Sequence, residues 1–186
     1  MSERLERLHP ETLNPTQQIL YEDMTNFINI HLNNFQTIDD EGRFIGIWNA
    51  LLHYPKIGAK ILDLLKAITN NEKLNPKIKE ICILTISEKY NSEYALYAHA
   101  EMAKSKHVKI SIINKIINGD NLNKELHRDE FIAREITLEL LDQKILPTSL
   151  YNLGLESLGE ESLAELIFLI GFYSMICTTL NGFHLN

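Results

Sequence analysis

Twice this chain carries Leu-Asn-Pro, at Leu13-Asn14-Pro15 and at Leu74-Asn75-Pro76, and each time a stretch of helically spaced apolar residues follows. An asparagine side chain accepts hydrogen bonds from first-turn N–H groups, and a proline at the first helical position gives up no bond there. Both tripeptides therefore read as helix starts. The first opens a helix with Ile19, Leu20, Met24, Phe27 and Ile28 at three-four spacing. The second opens Pro76 to about Tyr90, with Ile78, Ile81, Cys82 and Thr85 on one side. No segment shows sustained period-two alternation bounded by hairpin turns. The expected fold class is all-α, essentially without sheet.

Other helices are expected over Phe44 to His53, around the only tryptophan, Trp48, and from about Pro55, with Ile57, Ile61, Leu62, Leu65 and Ile68. A turn at Tyr90-Asn91 precedes a helix over about Ser92 to Lys106. Ile110 to Asn118 follows and stops at Gly119, placed as a left-handed residue after the helix. Asp120 to Lys124 reads as a polar loop. Three helices complete the chain: Arg128 to about Lys144, about Thr148 to Ser157, and Glu160 to about Leu180, the last closed by Asn181-Gly182.

The 186 residues are enough for one domain with its own core, so 1–186 is expected to be a single domain. A net charge of −7 argues against nucleic acid as a partner, because backbone binding needs clustered Lys and Arg. Lys104, Lys106 and Lys109 sit beside Glu101 at surface spacing and read as a solvated face. The N-terminus alternates charge and lacks an apolar core segment, so no signal peptide is expected there. Leu166 to Cys177 is apolar but short of the ~20 residues a bilayer requires, and Glu165 and Ser174 argue the same way; no membrane is expected. Cys82 and Cys177 lie in apolar helical segments, outside any metal-ligand or CxxC spacing, and read as small buried hydrophobes. A reducing, cytoplasmic location fits. The helices over 131–141 and 163–177 are apolar around more than half their circumference, which favours burial against a second copy in a homo-oligomer.

The residues able to do chemistry cluster in one stretch. Ser92, Ala95 and His99 fall at i, i+3 and i+7, on one face of a helix starting at Ser92. A helix start exposes N–H groups and the positive end of the dipole. Glu80 lies in the preceding helix, and an antiparallel pair would bring it beside His99. A carboxylate on an imidazole fixes its tautomer and raises its basicity, as a general acid/base requires. Spacing alone leaves a chance pair open, as it leaves Ser92 open as a simple N-cap and Tyr94 and Tyr97 open as packing residues.

These residues also carry a resemblance. Ala50-Leu51-Leu52-His53-Tyr54-Pro55, Asn75-Pro76 through Glu80 to Leu84, Ser92-Glu93-Tyr94 with Tyr97 and His99, and Gly159-Glu160, Glu165-Leu166, Gly171 to Met175 and Leu180-Asn181 together resemble the carboxymuconolactone decarboxylase / alkylhydroperoxidase D-like (AhpD-like) family. The resemblance covers most of the chain beyond the first forty residues, which it leaves as an N-terminal helical extension. It implies an AhpD-like helical bundle interleaved in a homo-oligomer, a trimer or hexamer, with no metal or organic cofactor.

In the family's hydroperoxidase branch a Glu and a His relay a proton to a Cys-x-x-Cys pair. By position Glu80 and His99 match the relay, whereas Ser92 and Ala95 stand where the cysteines would be. Neither can form a disulfide, so antioxidant thiol chemistry is disfavoured. The decarboxylase branch lacks the cysteines and keeps the histidine. That resemblance implies catalytic His99 and Glu80 acting on a small carboxylated or lactone-like substrate, as a lyase or isomerase. Ser92, Tyr94, Tyr97 and His53 would line the substrate site. Two alternatives remain: a non-catalytic scaffold or small-molecule-binding protein, and a thiol enzyme built on Cys82 or Cys177.

Overall fold

A computed structural model describes residues 3–122 and 125–185. It is all-α: nine α-helices and one short 3-10 turn make up its regular structure, and the nearest approach to a sheet among the described residues is one antiparallel bridge between Ile38 and Phe44. The chain forms two compact units, one from the described residues of Met1–Asn70 and Thr178–Asn186, the other from those of Asn71–Cys177.

The first unit holds α1 (Pro15–His31), α2 (Ile47–His53) and α3 (Pro55–Asn70). The Asn14 cap forms as the sequence predicts, with Gln17 answering it in a capping box. Leu20, Met24 and Phe27 of α1 and Trp48, Leu51 and Leu52 of α2 are buried, together with Leu62 of α3. The helix expected from Phe44 instead begins at Ile47. Gly46 stands at φ 57, ψ −137, a conformation open to glycine and outside the helical region, while Phe44 is taken by the bridge to Ile38. The α2–α3 junction is tight enough that only glycine fits at position 58: a Cβ there would lie 2.3 Å from the Leu51 carbonyl oxygen.

The second unit is organised around α4 (Pro76–Lys89), buried from Glu80 through Ser87. It packs against α5 (Glu93–Ser105), α6 (Ile110–Ile117) and α7 (Arg128–Asp142), and α7 in turn packs on α8 (Thr148–Leu158). Ile81 and Leu84 of α4 join Ala103, Ile112, Ile113 and Ile116 in one apolar cluster. A helix with no solvent face must satisfy its polar side chains internally. Thr85 and Ser87 therefore donate to the Ile81 and Ile83 carbonyls, at 2.8 Å each. Gly119 is left-handed at φ 71, as expected. The polar loop predicted over 120–124 lies partly outside the described residues.

The last helix, α9 (Glu160–Phe183), differs from expectation at its end. It passes through Asn181-Gly182 and stops at His184, left-handed at φ 54, where the Leu185 N–H bonds back to the Leu180 carbonyl. At 24 residues it is long and apolar enough to cross a membrane by length and composition, so the length argument from Leu166–Cys177 fails. Half of that apolar window is buried inside the protein. Glu165 shows the same engagement: its carboxylate accepts from the Lys73 and Leu74 N–H groups at 3.1 and 2.9 Å and pairs with the Lys79 ammonium. The carboxylate thereby pins the segment leading into α4.

Candidate active site

The geometry starts from a turn. Asn91 adopts φ 50, and the Asn91 and Ser92 N–H groups bond back to Glu88 and Ser87 at 2.8 and 3.0 Å, closing the end of α4 and reversing the chain. Asparagine tolerates the left-handed conformation better than other non-glycine residues. The helices α4 and α5 then run back along one another, which brings side chains from within about three turns of Asn91 on either side into contact. Glu80 and His99 are such a pair. His99 Nδ1 and Glu80 Oε2 lie 2.9 Å apart.

Both side chains are largely buried, His99 14% exposed and Glu80 8%. An ionised carboxylate only accepts, so Nδ1 carries the proton and Nε2 keeps its lone pair. Nε2 makes no hydrogen bond among the described residues. The imidazole plane is held by Tyr173 of α9, whose ring meets it edge-on with centroids 5.0 Å apart and planes at 88°. Burial, then the Glu80 carboxylate, then the Cys177 thiol raise the Tyr173 phenol above its ordinary value. It therefore stays a protonated, neutral wall of the site.

The other expected site residues take different places. Ser92 occupies the N-cap position of α5, but its hydroxyl makes no capping bond. It is buried, without a well-directed partner, beside the Cys177 thiol. Tyr94 is buried, whereas the neighbouring Tyr97 ring is 46% exposed. His53 belongs to the first unit, where Nε2 sits 2.7 Å from the Glu6 carbonyl oxygen. Among the described residues no cluster of His, Cys, Asp and Glu has the makings of a metal site.

Both thiols are buried. Burial pushes Cys82 up to about 12, against the weaker pull of the Thr137 hydroxyl and Arg134. Burial likewise pushes Cys177 up to about 11, against the Ser87 and Ser92 hydroxyls. A reactive thiol needs access and a depressed pKa. The thiol-enzyme alternative fails on both counts.

Sequence reasoning missed one neighbour of the dyad, Tyr173, and with it the place of Cys177 beside Tyr173 and Ser92. Tyr173 stands in the Gly171 to Met175 segment that carried part of the resemblance, but nothing in its spacing ties it to a residue seventy-four positions earlier.

No protein-family model and no curated protein sequence matches the chain. Among solved structures, the fold is similar to that of the debrominase Bmp8, determined as a cysteine-to-alanine variant in complex with 2,3,4-tribromopyrrole. The TM-score is 0.75 at 13% identity, over 100% of this chain and 92% of that one. The two chains share an all-α fold.

Proposed function

We propose that this chain is a thiol-independent catalyst of AhpD-like fold, in which His99 is the general acid/base and Glu80 sets its tautomer. The observation that carries the reading is the 2.9 Å contact from Nδ1 to Glu80 together with the uncommitted Nε2. This is the arrangement proton transfer requires: one ring nitrogen fixed, the other available. The substrate class is a small carboxylated or lactone-like acid. Loss of carbon dioxide leaves the bonding electron pair on a carbon conjugated to a carbonyl; His99 Nε2, having taken a proton from solvent, passes it to that carbon and returns to its lone-pair form. Tyr173 acts as a positioning residue for the imidazole plane.

The structural neighbour holds a small planar ring compound, and an aromatic side chain, Tyr173, stands beside His99 here. Its chemistry is not carried over, because Ser92 and Ala95 replace the helix-start thiols that the resemblance leads one to expect, and the two cysteines present are buried. An exposed apolar row on α9, comprising Ile167, Phe168 and Met175, supports assembly into a homo-oligomer, a trimer or hexamer by resemblance. We also propose a cytoplasmic location with neither nucleic acid nor membrane as partner, a reading supported by the net charge of −7 and by two unpaired cysteines.

The alternative is an AhpD-like protein that binds a small molecule without transforming it. A screen of unsaturated lactone acids for carbon dioxide release separates the two. Turnover lost in both His99→Ala and Glu80→Gln supports catalysis. Binding without turnover, unchanged by either substitution, supports the alternative.

A further inference from the structure

Arg134 of α7 is a buried cation held only by one loose ion pair. The residue is 8% exposed, and its Nε is sealed from solvent without an acceptor. The whole guanidinium makes no hydrogen bond among the described residues. Its nearest carboxylate is Glu135, with Nη1 to Oε1 at 3.9 Å, too far for a hydrogen bond. Arginine cannot discard its proton, so it cannot escape burial by neutralising as lysine can. A sealed Nε–H without an acceptor is costly, and a charge this buried is normally held by more than one loose ion pair.

The surrounding groups do not fill the role. Glu130, one turn earlier on α7, is committed to the Lys77 ammonium at 2.6 Å and the His127 N–H at 3.0 Å. The Thr137 hydroxyl donates to the Ala133 carbonyl at 2.9 Å. The Cys82 thiol faces the same region but stays protonated, so it brings no negative charge. This region is also separate from the dyad. Glu80 and Cys82 are two residues apart on α4, roughly 200° around it at about 100° per residue. Glu80 turns to α5 and Cys82 to α7.

We infer that Arg134 is the anchor of a second site, which takes a small oxyanion presenting two oxygens to the guanidinium fork. A carboxylate and a sulfate or phosphate share that chemistry and match the fork in bidentate fashion. The site stands independently of the function proposed for His99, and its test uses no catalytic readout.

The test is thermal unfolding of the full chain in acetate, in sulfate and in chloride at matched ionic strength. At ten times its dissociation constant the bound anion raises Tm by about 3–6 °C for a chain of this size. Arg134→Met abolishes that rise and is at least as stable as the parent in chloride, because an apolar side chain replaces a loosely paired charge. Arg134→Lys keeps the charge but loses the fork, so its rise is smaller. A rise with acetate alone assigns the site to carboxylates, and one with sulfate alone to tetrahedral oxyanions. Should Arg134→Met not fold, the arginine Nε–Hε resonances of the parent give the answer directly: one must move on adding the effective anion. The inference is overturned if no such resonance moves, or if Arg134→Met keeps the anion-dependent rise. It is equally overturned if Arg134→Met dissociates an oligomer while anions have no effect, since a second copy's carboxylate would then be the counter-charge.

Discussion

His99 and Glu80 meet at 2.9 Å because a single left-handed residue, Asn91, turns α4 back along α5. The pair is therefore a product of hairpin geometry, and its chemistry follows from which ring nitrogen the carboxylate occupies. Shifting the register by one residue would swing His99 about 100° around α5 and away from Glu80. Asn91→Pro, which cannot take a positive φ, should accordingly cost both fold stability and any activity.

The two cysteines should be silent in the native protein. Their thiols sit at about 12 and about 11, so the thiolate forms only at strongly alkaline pH, and at pH 8 about one part in a thousand or less is ionised. Titration with a disulfide reagent at pH 8 should show no fast-reacting thiol until denaturant is added, after which two equivalents react. Cys177→Ala and Cys82→Ala should retain activity on any substrate found.

Acid should destabilise the protein partly through Glu130. Burial works to raise its carboxyl, but the Lys77 ammonium and the His127 N–H outweigh this and hold it below the ordinary value. A carboxyl lowered in the folded state adds stability that is complete above its unfolded pKa, near 4.3, and is lost as pH falls through the folded value. Glu130→Gln should therefore be less stable than the parent at pH 7 by roughly 1–3 kcal/mol, with the gap closing below about pH 4. Urea unfolding at several pH values measures it.

Glu165 ties α9 to the segment before α4 through two backbone N–H groups and Lys79. Glu165→Ala leaves those donors unpaired and should cost about 3–5 kcal/mol. Glu165→Gln keeps one acceptor oxygen and should cost less. Denaturant midpoints for the two variants test the order.

Two glycines should respond oppositely to alanine. At Gly58 the new Cβ meets the Leu51 carbonyl oxygen at 2.3 Å, a backbone clash that should cost about 3 kcal/mol or more. At Gly171, within α9, nothing lies within 4 Å of the added Cβ, and Ala is the better helix former by up to about 1 kcal/mol. Thermal denaturation of the pair distinguishes them.

Much of this was legible in the sequence where local chemistry decides. The Asn-Pro starts, the Gly119 stop and the all-α class all follow from residue types and spacing, whereas spacing alone leaves the pairing of Glu80 with His99 open and the family resemblance singles it out. What stayed hidden depends on long-range packing. Tyr173 and Cys177 reach the site from α9, and no periodicity links them to Ser92 or His99. The Ser92 hydroxyl is drawn away from its expected cap by burial beside Cys177. The contact of His53 Nε2 with the Glu6 carbonyl spans forty-seven residues and has no local signature. Nothing in the sequence singles out Arg134; its burial, with Nε sealed from solvent and without an acceptor, is a product of packing.

The central claim is that His99 delivers a proton to carbon, and solvent deuterium reports this directly. A lactone acid that turns over in deuterium oxide should gain one deuterium at the carbon that loses carbon dioxide. His99→Ala should slow both carbon dioxide release and deuterium gain by about 10²–10⁴-fold, the range for losing a general acid. If His99→Ala incorporates deuterium at the parent rate, another group supplies the proton and the account is wrong.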